Sequence, residues 1–146
     1  MMAAMFEPST VALHGIASYP GGGNVAILGG VTIGLFTAQW AKIFGAKQVV
    51  VFDILDSRLD LAKRLGADAV INSKEEGYQK QALELTEGKG FDYVFETAGN
   101  PVTMQMGFEL AGNKAKVCFI GTPHGYDLYA GSGKQTGRSL SLPALG

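Results

Sequence analysis

Short runs of apolar residues, each followed by a stretch with helical spacing, recur along most of this chain. That alternation constrains the fold more than any other feature, because a strand that is apolar throughout must be covered on both faces. Asn24-Val-Ala-Ile-Leu-Gly-Gly30 is the first such run. Ile33 to Phe44 follows as a helix, with Leu35, Phe36, Trp40, Ile43 and Phe44 as its apolar side and Gly45 as its stop. Gln48 to Ile54 is the second strand. Ser57 and Asp60 have the spacing of a capping box and predict a helix ending in Lys63, Arg64 and Gly66. Ala69 to Asn72, Phe91 to Ala98 and Ala115 to Gly121 read as three further strands. Between them, Ser73 and Glu76 predict a helix running through Tyr78, Ala82 and Leu85 to Gly88. Asn100 as cap and Pro101 at the first helical position predict another, ended by Gly112. Strict alternation of about five strands with helices predicts an α/β fold, a Rossmann-type doubly wound parallel sheet.

A chain of 146 residues has room for one domain. Residues 1–23 read as a helical segment, broken by Pro20-Gly-Gly-Gly23; residues 24–121 read as the sheet domain. Residues 122–146, with five glycines, three serines and two prolines, show no period and predict an irregular tail. Twelve Lys and Arg against thirteen Asp and Glu argue against a nucleic-acid or anionic-membrane surface. Cys118 is the single cysteine, which excludes an intrachain disulfide and a multi-thiolate zinc site. The absence of a leader or of a long apolar run predicts a cytoplasmic protein with no membrane segment.

The stretch that points to chemistry is Gly29-Gly30-Val31-Thr32-Ile33-Gly34, at the junction of first strand and first helix. Helix N-terminal amides and the helix dipole attract a pyrophosphate there. In a G-x-G-x-x-G turn the first glycine makes the bend and the last lets helix and strand pack closely. Gly29 and Gly34 take those places, whereas Val31 stands where a second glycine would. Asp53 follows 19 residues after Gly34, at the end of the second strand, where a carboxylate can accept hydrogen bonds from an adenosine ribose. Together these residues predict an NAD site. The plainer alternative is that the glycines are turn residues only and Asp53 a solvated strand end.

The chain resembles the cofactor domain of the zinc-containing medium-chain alcohol and polyol dehydrogenases, most closely those of sorbitol and galactitol-phosphate type. Phe6 to His14, the glycine turn, Val50-Val-Phe-Asp53, Arg58, Leu65-Gly-Ala-Asp68, Phe91-Asp-Tyr-Val94, Glu96-Thr-Ala-Gly99 and Phe119-Ile-Gly121 carry the likeness. The resemblance implies that Ile33, Asp53 and Arg58 contact adenosine and ribose. It further implies that Thr97, Ala98, Gly121 and Thr122 lie along the cofactor towards the nicotinamide, and that Glu7 stands at or beside a zinc site. In the complete enzyme, zinc would polarise an alcohol or polyol substrate whose hydride passes to NAD. The likeness ends after His124, and the zinc-binding catalytic domain has no counterpart here, so the expectation is a cofactor half that is inactive alone. The resemblance also allows a homo-oligomer.

Plainer roles compete for the other candidates. Glu7 is equally a glutamate at a helix N-terminus, and one carboxylate cannot hold zinc. His14 and His124 suggest core or loop positions, Cys118 an inert buried thiol, and Trp40, Met104 and Phe108 core packing. Arg58, early in a helix where a cation is unfavourable, points to a ligand. No tyrosine has a lysine four positions on, and neither a nucleophile elbow nor a phosphate-binding P-loop is present. Two other functions remain open at this point: a stand-alone dinucleotide-binding module and an S-adenosylmethionine methyltransferase.

Overall fold

The computed structural model describes residues 12–29 and 31–120 and the backbone of residues 139–141. Helix α1 is described over residues 12–16. β1 (Asn24–Leu28), α2 (Thr32–Ile43), β2 (Gln48–Asp53), α3 (Asp56–Arg64) and β3 (Ala69–Asn72) follow. After them come α4 (Tyr78–Leu85), β4 (Phe91–Glu96), α5 (Pro101–Leu110), β5 (Ala111–Phe119) and β6 (Ser139–Ser141). The strands lie in the order β3-β2-β1-β4-β5-β6, and each pairing is parallel. This is the expected doubly wound sheet. Its strand order reverses between β1 and β4, and a crevice opens at the carboxyl ends of strands at such a point.

Alternating side chains divide the interior in two. Ala26, Leu28, Val50, Phe52 and Val94 face α4 and α5, where Ala82, Met104 and Phe108 complete one core. Val25, Ile27, Val49, Val51 and Phe95 meet Ile16, Ala38, Ala41, Leu59 and Ala62 on the opposite face. Met104 and Phe108 are thus core residues as expected, while Trp40 is half-buried and leans on Phe44. His14 is exposed. Cys118 is buried, and its Sγ donates to the Gly15 carbonyl at 3.3 Å.

Several local expectations need correction. Ser57 does not cap its helix. The amides of Ile54 and Leu55 bond to Asp53 Oδ1, so the chain turns early and the helix starts at Asp56 with Leu55 as the extended N-cap. Ser73 does not cap the next one either. Asn72 Oδ1 accepts from the Lys74 amide in a local turn, and Gly77, with φ at 83°, delays the helix to Tyr78. Asn100 does cap α5, accepting from the Thr103 amide at 2.9 Å ahead of Pro101, but that helix ends at Leu110 and Gly112 lies inside β5. A last correction falls in the segment expected to be irregular: Ser139–Ser141 pairs with Lys116–Cys118 of β5 as a sixth strand. Three residues are too few to show a period, and their structure comes from the neighbouring strand.

Candidate functional site

The crevice at the reversal point is a cavity of about 680 Å³ lined by Gly29, Val31, Asp53, Arg58 and Ala98 together with apolar neighbours. Local geometry explains why each residue stands there. Gly29 ends β1 with φ at 109°, in the left-handed region that favours glycine, and its amide donates to the Phe52 carbonyl. A Cβ on Gly34 would fall 1.8 Å from the Gly29 carbonyl oxygen, so α2 approaches the turn closely only because residue 34 has no side chain. Val31 is the extended N-cap of α2 at φ −79° and ψ −179°, a conformation that valine adopts without strain.

No acidic side chain sits in the first turn of α2, and none caps it. Its amides therefore leave a positive helix end at the crevice. Thr32 is exposed, Ile33 is half-buried and Gly34 is buried, and the three are placed in the first turn rather than on the cavity wall.

Asp53 is buried at the end of β2, with its side chain 5% exposed. Its Oδ1 accepts from the amides of Ile54 at 2.6 Å and Leu55 at 3.2 Å, while Oδ2 lies 3.7 Å from Arg58 Nη1. Arg58 reaches this carboxylate from the first turn of α3 and keeps 43% of its side chain exposed.

Across the crevice, the amide of Thr97 donates to Leu28, and its Oγ1 lies 3.0 Å from both the Leu28 and Gly29 carbonyls. Ala98 follows on the wall. Burial pushes the Glu96 carboxyl above its ordinary range, opposed by hydrogen bonds from Thr103 and the amides of Gly99, Ala98 and Asn100.

The structure thus gathers Gly29, Val31, Asp53, Arg58 and Ala98 around one cavity, with Thr97 supporting its wall. Gly30, Gly121, Thr122 and Glu7 lie outside the described residues. Sequence reasoning did not assign Ile54, Ser73, Tyr78, Val102, Thr103 or Met106 to the site, yet they share the lining. Ile54 and Val102 are 57% and 71% exposed, unusual for apolar side chains. The signal for Ile54 was available: it directly follows Asp53, at the carboxyl end of the second strand. Among the described residues, no three His, Cys, Asp or Glu side chains come together as a metal site. The described part of the chain thus offers zinc no ligand set. No described helix is long and apolar enough to cross a membrane.

A family model described as zinc-binding dehydrogenase matches residues 32–139. The chain belongs to that family. Among its zinc-type dehydrogenase relatives, galactitol 1-phosphate 5-dehydrogenase of Escherichia coli (strain K12) is 39% identical over 123 residues, 83% of this chain and 36% of that protein. Sorbitol dehydrogenase of Bacillus subtilis (strain 168) is 34% identical over 123 residues, 83% of this chain and 35% of that protein. The crystal structure of galactitol-1-phosphate dehydrogenase from Escherichia coli aligns with a TM-score of 0.81 at 33% identity, over 97% of this chain and 42% of that one. A zinc-binding dehydrogenase structure from Sinorhizobium meliloti 1021, bound to NADP, aligns at 0.74 with 28% identity over 93% of this chain and 42% of that one. The chain spans a little over a third of the length of the curated relatives it matches.

Proposed function

We propose that this chain holds the nicotinamide dinucleotide of an alcohol or polyol dehydrogenase, and that it prefers NAD to NADP. The observation that carries the reading is the meeting of three elements at one crevice: the Gly29 bend, the uncapped positive end of α2, and the buried carboxylate of Asp53. The pyrophosphate belongs beside Gly29 and the first amides of α2. The ribose hydroxyls belong at Asp53, and Ile54, Tyr78, Val102 and Met106 offer apolar surface to the adenine. When bound, the cofactor supplies the hydride chemistry, and the chain supplies orientation and electrostatics. Two relatives named for polyol substrates support a secondary alcohol as the hydride partner. Family membership favours this reading over a methyltransferase, which shares only the turn and the acidic strand end.

Asp53 decides between the two cofactors. Its hydrogen bonds to ribose hydroxyls are charge-assisted and stronger than neutral ones. A 2′-phosphate at the same place removes a donor and brings a second anion to a buried carboxylate. Arg58 opposes this preference, because a guanidinium can accept the phosphate; in the structure it already faces Asp53 Oδ2.

Calorimetric titration of NADH and NADPH into the chain and into Asp53→Ala tests the proposal. NADH is expected to bind at least about tenfold more tightly to the starting protein, with the preference lost or reversed in the variant. Equal affinities in the starting protein, or a preference that survives the substitution, would remove Asp53 from the site.

A further inference from the structure

Glu96 is fully buried at the carboxyl end of β4, and three hydrogen bonds to its carboxyl converge on one oxygen. Oε2 accepts from the Ala98 amide at 3.1 Å, the Gly99 amide at 2.8 Å and Thr103 Oγ1 at 2.6 Å. No donor among the described residues reaches Oε1. Burying a carboxyl is unfavourable, and a core position next to Phe95 would ordinarily hold an apolar side chain. The three bonds join β4 to the first turn of α5 and bind residues 97–100 into a tight bend.

That bend leans on the glycine turn. A Cβ on Gly29 would meet Thr97 Oγ1 at 3.0 Å and the Cβ and amide of Ala98 at 3.1 Å. Thr97 Oγ1 also reaches the Gly29 carbonyl. The placement of Thr97 and Ala98 therefore sets the clearance beside the glycine turn, at the pyrophosphate end of the crevice.

We propose that Glu96 is a positioning residue for dinucleotide binding: by gathering the 97–100 bend onto Oε2 it holds Thr97 and Ala98 against Gly29 and shapes the pyrophosphate end of the crevice. The inference rests on the dinucleotide reading above. Reach, rather than charge, is the property that matters. The amide side chain of a Glu96→Gln variant can turn its carbonyl oxygen to the same three donors, whereas Glu96→Asp keeps the carboxylate but withdraws it by one methylene.

NADH and adenosine, the latter carrying no phosphate and so probing the adenosine end alone, are titrated into the chain and both variants, with amide hydrogen exchange followed at Ala98 and Gly99. Glu96→Gln should bind both ligands within about threefold of the starting protein, and Glu96→Asp should lose about tenfold or more in NADH while adenosine changes less than about threefold. Exchange at the two amides should quicken in Glu96→Asp and not in the rest of the sheet. Should Glu96→Asp fail to fold, Thr103→Val, which deletes one of the three donors, is read in the same way with a smaller NADH loss. Equal losses of NADH and adenosine would show a role in stability alone and overturn the proposal. So would a glutamine variant as impaired as the aspartate one, or an aspartate variant that binds NADH normally. A starting protein that binds neither ligand overturns the dinucleotide reading itself, before any variant is compared.

Discussion

A single missing side chain sets how closely α2 meets β1. With 1.8 Å between a Cβ on residue 34 and the Gly29 carbonyl oxygen, Gly34→Ala must push the helix away or break the turn. Overpacking of this kind, here against backbone that cannot rotate aside, is expected to destabilise the chain by on the order of 3 kcal/mol. Urea unfolding gives the loss, and an NADH titration in the variant should show binding abolished. Cys118 shows a different residue-scale effect. Burial pushes its thiol from 9.0 up to about 12. The folded thiol thus ionises later than the unfolded one. Its contribution to stability is complete below about pH 9 and is lost as pH rises through about 12. The loss across that window is on the order of 4 kcal/mol, and Cys118→Ala should flatten the alkaline limb of stability against pH. A thiol reagent at neutral pH should leave the folded protein unmodified and label it only on unfolding.

At the scale of elements, the N-terminus of α2 is left uncapped, which suits an anion better than it suits the helix. Val31→Asp would supply both a capping side chain and a negative charge, raising the stability of the free protein by about 1 kcal/mol. The same carboxylate would stand where the pyrophosphate belongs, and NADH affinity should fall by about tenfold. Chemical denaturation and calorimetry on one preparation check both signs. The elements themselves were legible where burial is two-sided: the runs Val25–Leu28 and Val49–Phe52 contain no polar residue, and their shortness and flanking turn residues favour strands over helices. Asn100 with Pro101 marked α5 correctly because the cap bond is local. Ser57 and Ser73 misled because a carboxylate and an amide one strand end away had already captured the neighbouring backbone. Asp53 and Gly34 could be read from spacing. Ile54, Tyr78 and Val102 could not all be found, since they reach the cavity from the connection after β2, from α4 and from α5, which only the tertiary fold brings together. Glu96 stood in a recognisable motif, but its burial and its one-sided bonding are not visible in a string of letters.

For the whole molecule, the crevice is a seam. Val25 of β1 pairs with Tyr93 of β4, and the chain between them forms the rest of one half of the sheet before returning. A ligand lying across that seam contacts both halves and stabilises only the state in which they are joined. At a hundred times its dissociation constant, NADH should add about 2.7 kcal/mol. For a chain of this size that raises the melting midpoint by roughly 8 °C, which differential scanning fluorimetry can read. The timing follows from the same strand order. Contacts within β1–α2–β2–α3–β3 are local and can form early, whereas β1 meets β4 only after the long excursion has closed. Until then no crevice exists for the ligand to find. Cofactor should therefore leave the rate of folding unchanged and lengthen the lifetime of the native state, acting as a latch on a finished structure rather than as a template for an unfinished one.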